Sequence, residues 1–257
     1  MAQNIYTGFH AVEERIRRYE NQKSKAVTLK IYYSKIGPRI KKILFNAKDA
    51  GFECIKVDDE YISNLVKDLP PELQDSRGIV LVTEGEKQTS ENLLSLDAWI
   101  KTCPEKATVL ILDSVTDPHN IGAIIRSCDQ FGCNLLVVPE RNTTSSIQEN
   151  DIIARTSAGA SGWVNRCKEK NLVRAVQILK ENGFWIYAAD AGGQSLQNVS
   201  FADKACIIMG SEGTGISRLL EENSDVVVSI PTYGKIDSLN VSVAAGVLLF
   251  ERHRQSL

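Results

Sequence analysis

The stretch DSVTDPHNIGAIIRSCDQFG, residues 113–132, decides how this chain is read. It follows ATVLILD (107–113), an apolar run that reads as a buried strand. The pattern breaks at Asp117-Pro118 and reopens with Ile121, Ile124, Ile125 and Cys128, the spacing of one helix face. The Asp-Pro pair and Asn120 suit a loop and a helix start. A polar loop therefore stands where a strand hands over to a helix. Arg126 projects from that helix with only Gly122 and Ala123 one turn before it, which suggests room for its guanidinium to reach a bulky partner.

The same alternation continues to either side. From residue 107, strands are expected at 107–112, 134–138, 184–189, 205–209 and 226–230, and helices at 120–131, 170–182, 215–222 and 241–254. Several of these strands are continuous apolar runs, as in a parallel sheet covered on both faces. The expected fold is α/β and doubly wound, with ligands beyond the carboxyl ends of the strands. Upstream, GFHAVEERIRRYE, PRIKKILFNAKDAG and DEYISNLVKDL read as helices, and AVTLKIYYS, FECIKV and GIVLVTE as strands. They make a smaller α/β unit. The division expected is a first domain at 1–85, a linker at 86–106 and a second domain at 107–257.

Bulk properties narrow the function classes. The chain has 257 residues, 43% of them apolar, enough for a sizeable core. No apolar run is long enough to span a membrane, and the N-terminus lacks the apolar segment of a secretory signal. The six cysteines are scattered without a CxxC pair, which argues for free thiols in a reducing cytoplasm and against a zinc site. Net charge is −2, so the whole chain carries no nucleic-acid signal. Its distribution does: Arg15 to Lys42 holds ten Lys/Arg against one acid, Glu20, with Tyr19, Tyr32 and Tyr33 interleaved. Such a segment fits a phosphate backbone with stacked bases, and equally a solvated helix face beside core tyrosines.

Two further strand-to-helix junctions carry polar signatures. In ACIIMGSEGTGIS (205–217) a buried strand runs into Gly210, then Ser211-Glu212, then Gly213 and Gly215. The order is neither GxGxxG nor a P-loop with Lys-Ser/Thr, so neither a nicotinamide cofactor nor a nucleoside triphosphate is supported. A plain turn with Glu212 near a helix N-terminus fits it as well. In VVVSIPTYGKIDSLNVSVAAGVLLFE (226–251) a strand stops at Pro231, and Ser238-Leu239-Asn240 precedes a helix rich in small residues. Taken singly, Ser238 and Asn240 read as helix caps.

Taken together and in this order, the three junctions resemble the SpoU (TrmH-like) family of RNA ribose 2′-O-methyltransferases, within the SPOUT superfamily. The resemblance covers roughly residues 107–255. The N-terminal unit is more loosely similar to the small RNA-binding domain of the RlmB-like branch, through TGFHAVEERI and SRGIVLVTE. The resemblance implies a parallel-sheet domain with a C-terminal trefoil knot, S-adenosylmethionine (AdoMet) as cofactor, no metal, and a homodimer. It places Gly210, Ile230 and Leu239 at the cofactor. Asn120, Arg126, Glu212, Ser238 and Asn240 become the polar residues of the three motifs. Arg126 takes the activating role. A guanidinium loses its proton only at great cost, so a charged Arg126 that binds phosphate and stabilises the forming alkoxide is the physical version of that role. Asn120 would orient Arg126 or the ribose, and Glu212 would pair with Arg126. The extra domain favours ribosomal RNA, a guanosine of the large-subunit 23S molecule. A transfer RNA, an rRNA adenosine of the thiopeptide-resistance type, or a non-catalytic RNA-binding role are the alternatives.

Overall fold

The computed structural model describes residues 3–21, 28–69, 71–84, 92–140, 151–235 and 238–257. The chain divides into two units, Met1–Thr89 and Ser90–Leu257. Residues 141–150, the polar stretch RNTTSSIQEN, and residues 86–91 of the expected linker lie outside the described residues.

The first unit runs β1 (Gln3–Thr7), α1 (Phe9–Asn21), β2 (Thr28–Tyr33), α2 (Pro38–Asp49), β3 (Glu53–Lys56), α3 (Asp59–Val66) and β4 (Ile79–Glu84). Its sheet has the order β1-β4-β2-β3, parallel only between β2 and β3. Alternation along β4 sends Ile79 and Leu81 to the core under α1 and α2, and Val80 and Val82 to the core under α3. Strand β1 was not expected, because its few residues carry too little apolar signal. The basic segment is divided by the fold. Arg15 is buried with its guanidinium 4.2 Å from the Tyr6 ring centroid, while Lys30, Lys35 and Arg39 pair with Glu53, Asp59 and Glu13.

The second unit begins with β5 (Leu93–Leu94) and α4 (Leu96–Ile100), so residues 92–106 are folded into it rather than forming a linker. Strand β5 pairs with a later strand, and Trp99 of α4 is buried. Then follow β6 (Ala107–Leu112), α5 (Pro118–Gln130), β7 (Leu135–Pro139), α6 (Asp151–Thr156), β8 (Arg166–Glu169), α7 (Leu172–Glu181), β9 (Trp185–Ser195), β10 (Lys204–Met209), α8 (Arg218–Glu222), β11 (Val226–Ser229) and α9 (Val241–Arg254). The seven strands lie in the order β11-β9-β10-β6-β7-β8-β5, every neighbouring pair parallel. All six residues of β6 are buried, as befits its central place. Leu110 and Leu112 join one core with α5, α6 and α9. Val109 and Ile111 join a second core with α4, α7 and α8. The parallel sheet covered on both faces is thus present, and it aims the carboxyl ends of β6, β9, β10 and β11 at one edge of the unit.

Two departures from the expected elements shape that edge. Helix α8 starts at Arg218 rather than 215, because Ser211 and Gly215 close a small loop by paired backbone hydrogen bonds of 3.2 and 3.0 Å. Strand β9 continues to Ser195 rather than stopping near 189. Its partner β11 pairs Val227 with Ala188 but Val228 with Gln194, so residues 189–193 loop out of the ladder. The excursion returns through Gly193, where a Cβ would fall 2.5 Å from the Val227 carbonyl carbon.

Candidate active site

The loops after β6, β10 and β11 meet at one point. Glu212 stands in the loop after β10, and its Oε1 accepts three hydrogen bonds: from Asn240 Nδ2 at 2.5 Å, from Val241 N at 3.2 Å and from Asn120 Nδ2 at 3.4 Å. Asn240 Nδ2 also donates to Asn120 Oδ1 at 3.0 Å, across 120 residues of sequence. Side chains from three separate junctions are therefore fastened to one carboxylate oxygen. Asn240 does a second thing at once. Its Oδ1 accepts from Ser242 N at 2.9 Å and Ser242 Oγ at 2.6 Å, which caps α9. Capping and bridging use different atoms of the same amide.

Beside this junction lies a cavity of about 660 Å³. Gly210 to Gly215, Ser229 to Thr232, Ser238 and Leu239 line it, with Ala189 to Ala191 of the β9 excursion closing one side. The predicted residues Gly210, Ile230, Leu239, Ser238 and Glu212 thus all line this cavity. Gly210 is required by packing, since a Cβ there would overlap the backbone of Gly215 and Ile216. Ser238 is exposed and does not cap α9, a task that falls to Asn240. Asn120, Asn240 and Arg126 stand outside the wall.

Arg126 is exposed, and its guanidinium makes no hydrogen bond or ion pair among the described residues. The expected pair with Glu212 is absent. Arg126 lies six residues beyond Asn120, roughly one and two-thirds helical turns, so the two side chains leave α5 on different sides. Nor does Gly122 clear space for Arg126. A Cβ on Gly122 would overlap the Thr156 side chain of α6, so this glycine admits a neighbouring helix.

Two carboxylates escaped the sequence reading. Asp113 continues the ladder past β6, its N–H donating to Met209 O at 2.8 Å, while its Oδ2 accepts from Ser217 N at 2.7 Å. It ties the first loop to the second. Asp190 lines the cavity and accepts from Gly192 N at 2.9 Å, holding the excursion in shape. The Gly192-Gly193 pair just past the expected strand is the signal that could have flagged that irregularity. The cysteines stand apart from this chemistry. Burial raises the Cys206 thiol well above its usual range and pushes Cys167 up to about 12, so neither is a nucleophile near neutral pH. Among the described residues, no three His, Cys, Asp or Glu are grouped to hold a metal, and no helix is long and apolar enough to cross a membrane.

A parallel sheet whose carboxyl-end loops converge on a small-molecule cavity defines a ligand-binding α/β domain. Residues 107–250 match the SpoU rRNA Methylase family model, and the chain belongs to that family. It is 34% identical over 249 residues to the 23S rRNA (guanosine-2′-O-)-methyltransferase RlmB of Neisseria meningitidis serogroup B, covering 96% of this chain and 94% of the relative. In fold it is similar to a crystal structure of an RNA 2′-O ribose methyltransferase, with a TM-score of 0.76 at 19% identity over 99% of this chain and 89% of the other. It is also similar to the SpoU methyltransferase AviRb of Streptomyces viridochromogenes, solved in complex with the cofactor AdoMet, with a TM-score of 0.69 at 20% identity over 99% and 90% of the two chains.

Proposed function

We propose that this chain is an AdoMet-dependent RNA (ribose-2′-O)-methyltransferase acting on a guanosine of 23S ribosomal RNA. The observation that carries the reading is the Asn120–Glu212–Asn240 junction, which fastens three loops around one cavity. The cavity fits the cofactor in chemistry and size. It lies within the roughly 300–1,000 Å³ range of small-molecule sites, and its loops offer main-chain N–H and C=O groups to an adenine edge. Met209, Ile230 and Leu239 supply apolar contact. The cofactor supplies an electrophilic methyl group on a sulfonium.

The rest is the work of this chain's residues. Gly210, Ile230 and Leu239 hold the cofactor, and Asp190 is placed to accept hydrogen bonds from its polar edge. Arg126 is free to bind an RNA phosphate and to stabilise negative charge developing on a ribose 2′-oxygen, while the proton leaves to phosphate or water. Glu212 and Asn240 act on the loops rather than on Arg126, and Ser238, exposed on the cavity lining, is available to the RNA or the cofactor. A C-terminal trefoil knot and the RNA-binding role of residues 1–85 belong to the same reading, as does a cytoplasmic location with the ribosome precursors. So does a homodimer, supported by Trp163, Val243 and Phe250, which are exposed by 47, 52 and 51%.

The substrate is supported by the Neisseria relative, whose likeness spans both units of this chain. The test is transfer of labelled methyl from AdoMet to unmodified ribosomal RNA and, separately, to transfer RNA. Arg126→Ala is expected to lower transfer by at least about 100-fold, the scale of one oxyanion-stabilising group, while AdoMet affinity stays unchanged. Gly210→Val, which would push the Gly215–Ile216 backbone out of the cavity wall, should lose AdoMet binding and methyl transfer together. Loss of AdoMet binding in Arg126→Ala overturns its assignment, and label in transfer RNA alone overturns the substrate.

A further inference from the structure

Helix α2 of the first unit presents an exposed aromatic ring inside a cluster of unpaired lysines. Its core face is Ile40, Ile43, Leu44 and Ala47. Phe45 lies opposite that face and is 67% exposed. Lys41 and Lys42 stand four and three residues before it and Lys48 three after, so all three ammonium groups leave the helix beside the ring. Four other cations of this unit are spent within it: Lys30, Lys35, Arg39 and Arg77 pair with Glu53, Asp59, Glu13 and Asp75. Lys41, Lys42 and Lys48 have no ion pair among the described residues, and Asp49 is the single acid on that face.

A phenylalanine held in water stabilises nothing in the fold, and three neighbouring lysines repel one another. Both features are satisfied by one partner, a flexible polyanion with flat bases. Unpaired RNA gives phosphates to the lysines and a π-face to the ring. A regular duplex keeps its bases stacked internally and has none to offer Phe45. An acidic protein would satisfy the lysines without explaining the ring.

We infer that the outer face of α2 is a docking site for single-stranded RNA, with one unpaired base stacked on Phe45 and the flanking phosphates on Lys41, Lys42 and Lys48. The inference rests on the proposed RNA substrate and adds where, and in what form, that RNA is held.

The experiment uses the full chain with an oligouridylate of about 12 nucleotides, a duplex of the same length, and unmodified ribosomal RNA, each titrated at several salt concentrations. Phe45→Ala should weaken oligouridylate binding roughly tenfold with an unchanged salt slope, and Phe45→Tyr should restore it. The triple change Lys41→Gln, Lys42→Gln, Lys48→Gln should reduce the salt slope by about two, at roughly 0.7 per single-strand phosphate. Methyl transfer by Phe45→Ala should show a raised KM for ribosomal RNA with kcat and AdoMet affinity intact. Equal weakening of duplex and single strand, or tight wild-type binding that Phe45→Ala leaves untouched, overturns the stacking site alone. A wild-type chain that binds AdoMet but none of the RNAs overturns the underlying substrate reading as well.

Discussion

Asn240 shows how much one side chain does at this site. Its oxygen caps α9 and its amide nitrogen donates to both Glu212 and Asn120. The two duties are separable by substitution. Asn240→Ala loses both, and the cap alone is worth about 1 kcal/mol. Asn240→Asp keeps an oxygen for the cap but removes the donors and sets a carboxylate against Glu212. Both variants should therefore lose methyl transfer, with Asn240→Ala showing the cap's share of lost stability in urea unfolding. An Asn240→Asp protein with wild-type transfer would show that the junction is dispensable. The sequence could propose either duty for Asn240 but not both, because an asparagine before a helix looks the same in each case. Asp113 was illegible for a different reason. Its partner, Ser217 N, lies 104 residues away and is a backbone group that no residue type announces.

At the scale of elements, Gly122 is the joint between α5 and α6. Gly122→Ala would press a methyl into Thr156, whose Oγ1 already donates to Ile152 O at 2.8 Å. The expected loss is about 1–3 kcal/mol, the usual cost of overpacking. Adding Thr156→Ala should recover part of it by removing Oγ1, since the Cβ of residue 156 and Ile153 O remain close to the new methyl. Additive losses in this double-mutant cycle would refute direct contact as the cause. The central strands and long helices were readable because their apolar spacing is strong. Strand β8 was not, since RCKE is short and charged and its Arg166 is buried at 2% exposure. The β9 excursion was not read: the expected strand stopped at 189, and a loop within a strand is defined by the partner strand's register.

For the whole molecule, acid tolerance is set partly at the end of α9. Hydrogen bonds from Arg254, and then from Gln255, hold the Glu251 carboxyl down at about 2, below its ordinary value of 4.5. A depressed folded-state value means the stabilisation is complete above about pH 4.5 and is lost as pH falls towards about 2. Arg254 is well exposed, so screening by salt should shrink the effect. Glu251→Gln should accordingly lower the urea midpoint at pH 7 and narrow its gap to the parent at pH 3. A constant gap across that range would place the acid-sensitive group elsewhere.

The strand order has a consequence for how the protein comes into being. The central pairing joins Ala107 to Lys204, and the junction joins Asn120 to Asn240, 120 residues further along the chain. Such distant pairings form slowly, because a long loop must close before any contact repays it. During synthesis the first unit can fold early, while its companion waits until Asn240 and α9 have left the ribosome. A truncated product would thus carry the α2 face with no assembled cavity, and would be a bystander on the very RNA that the finished chain modifies.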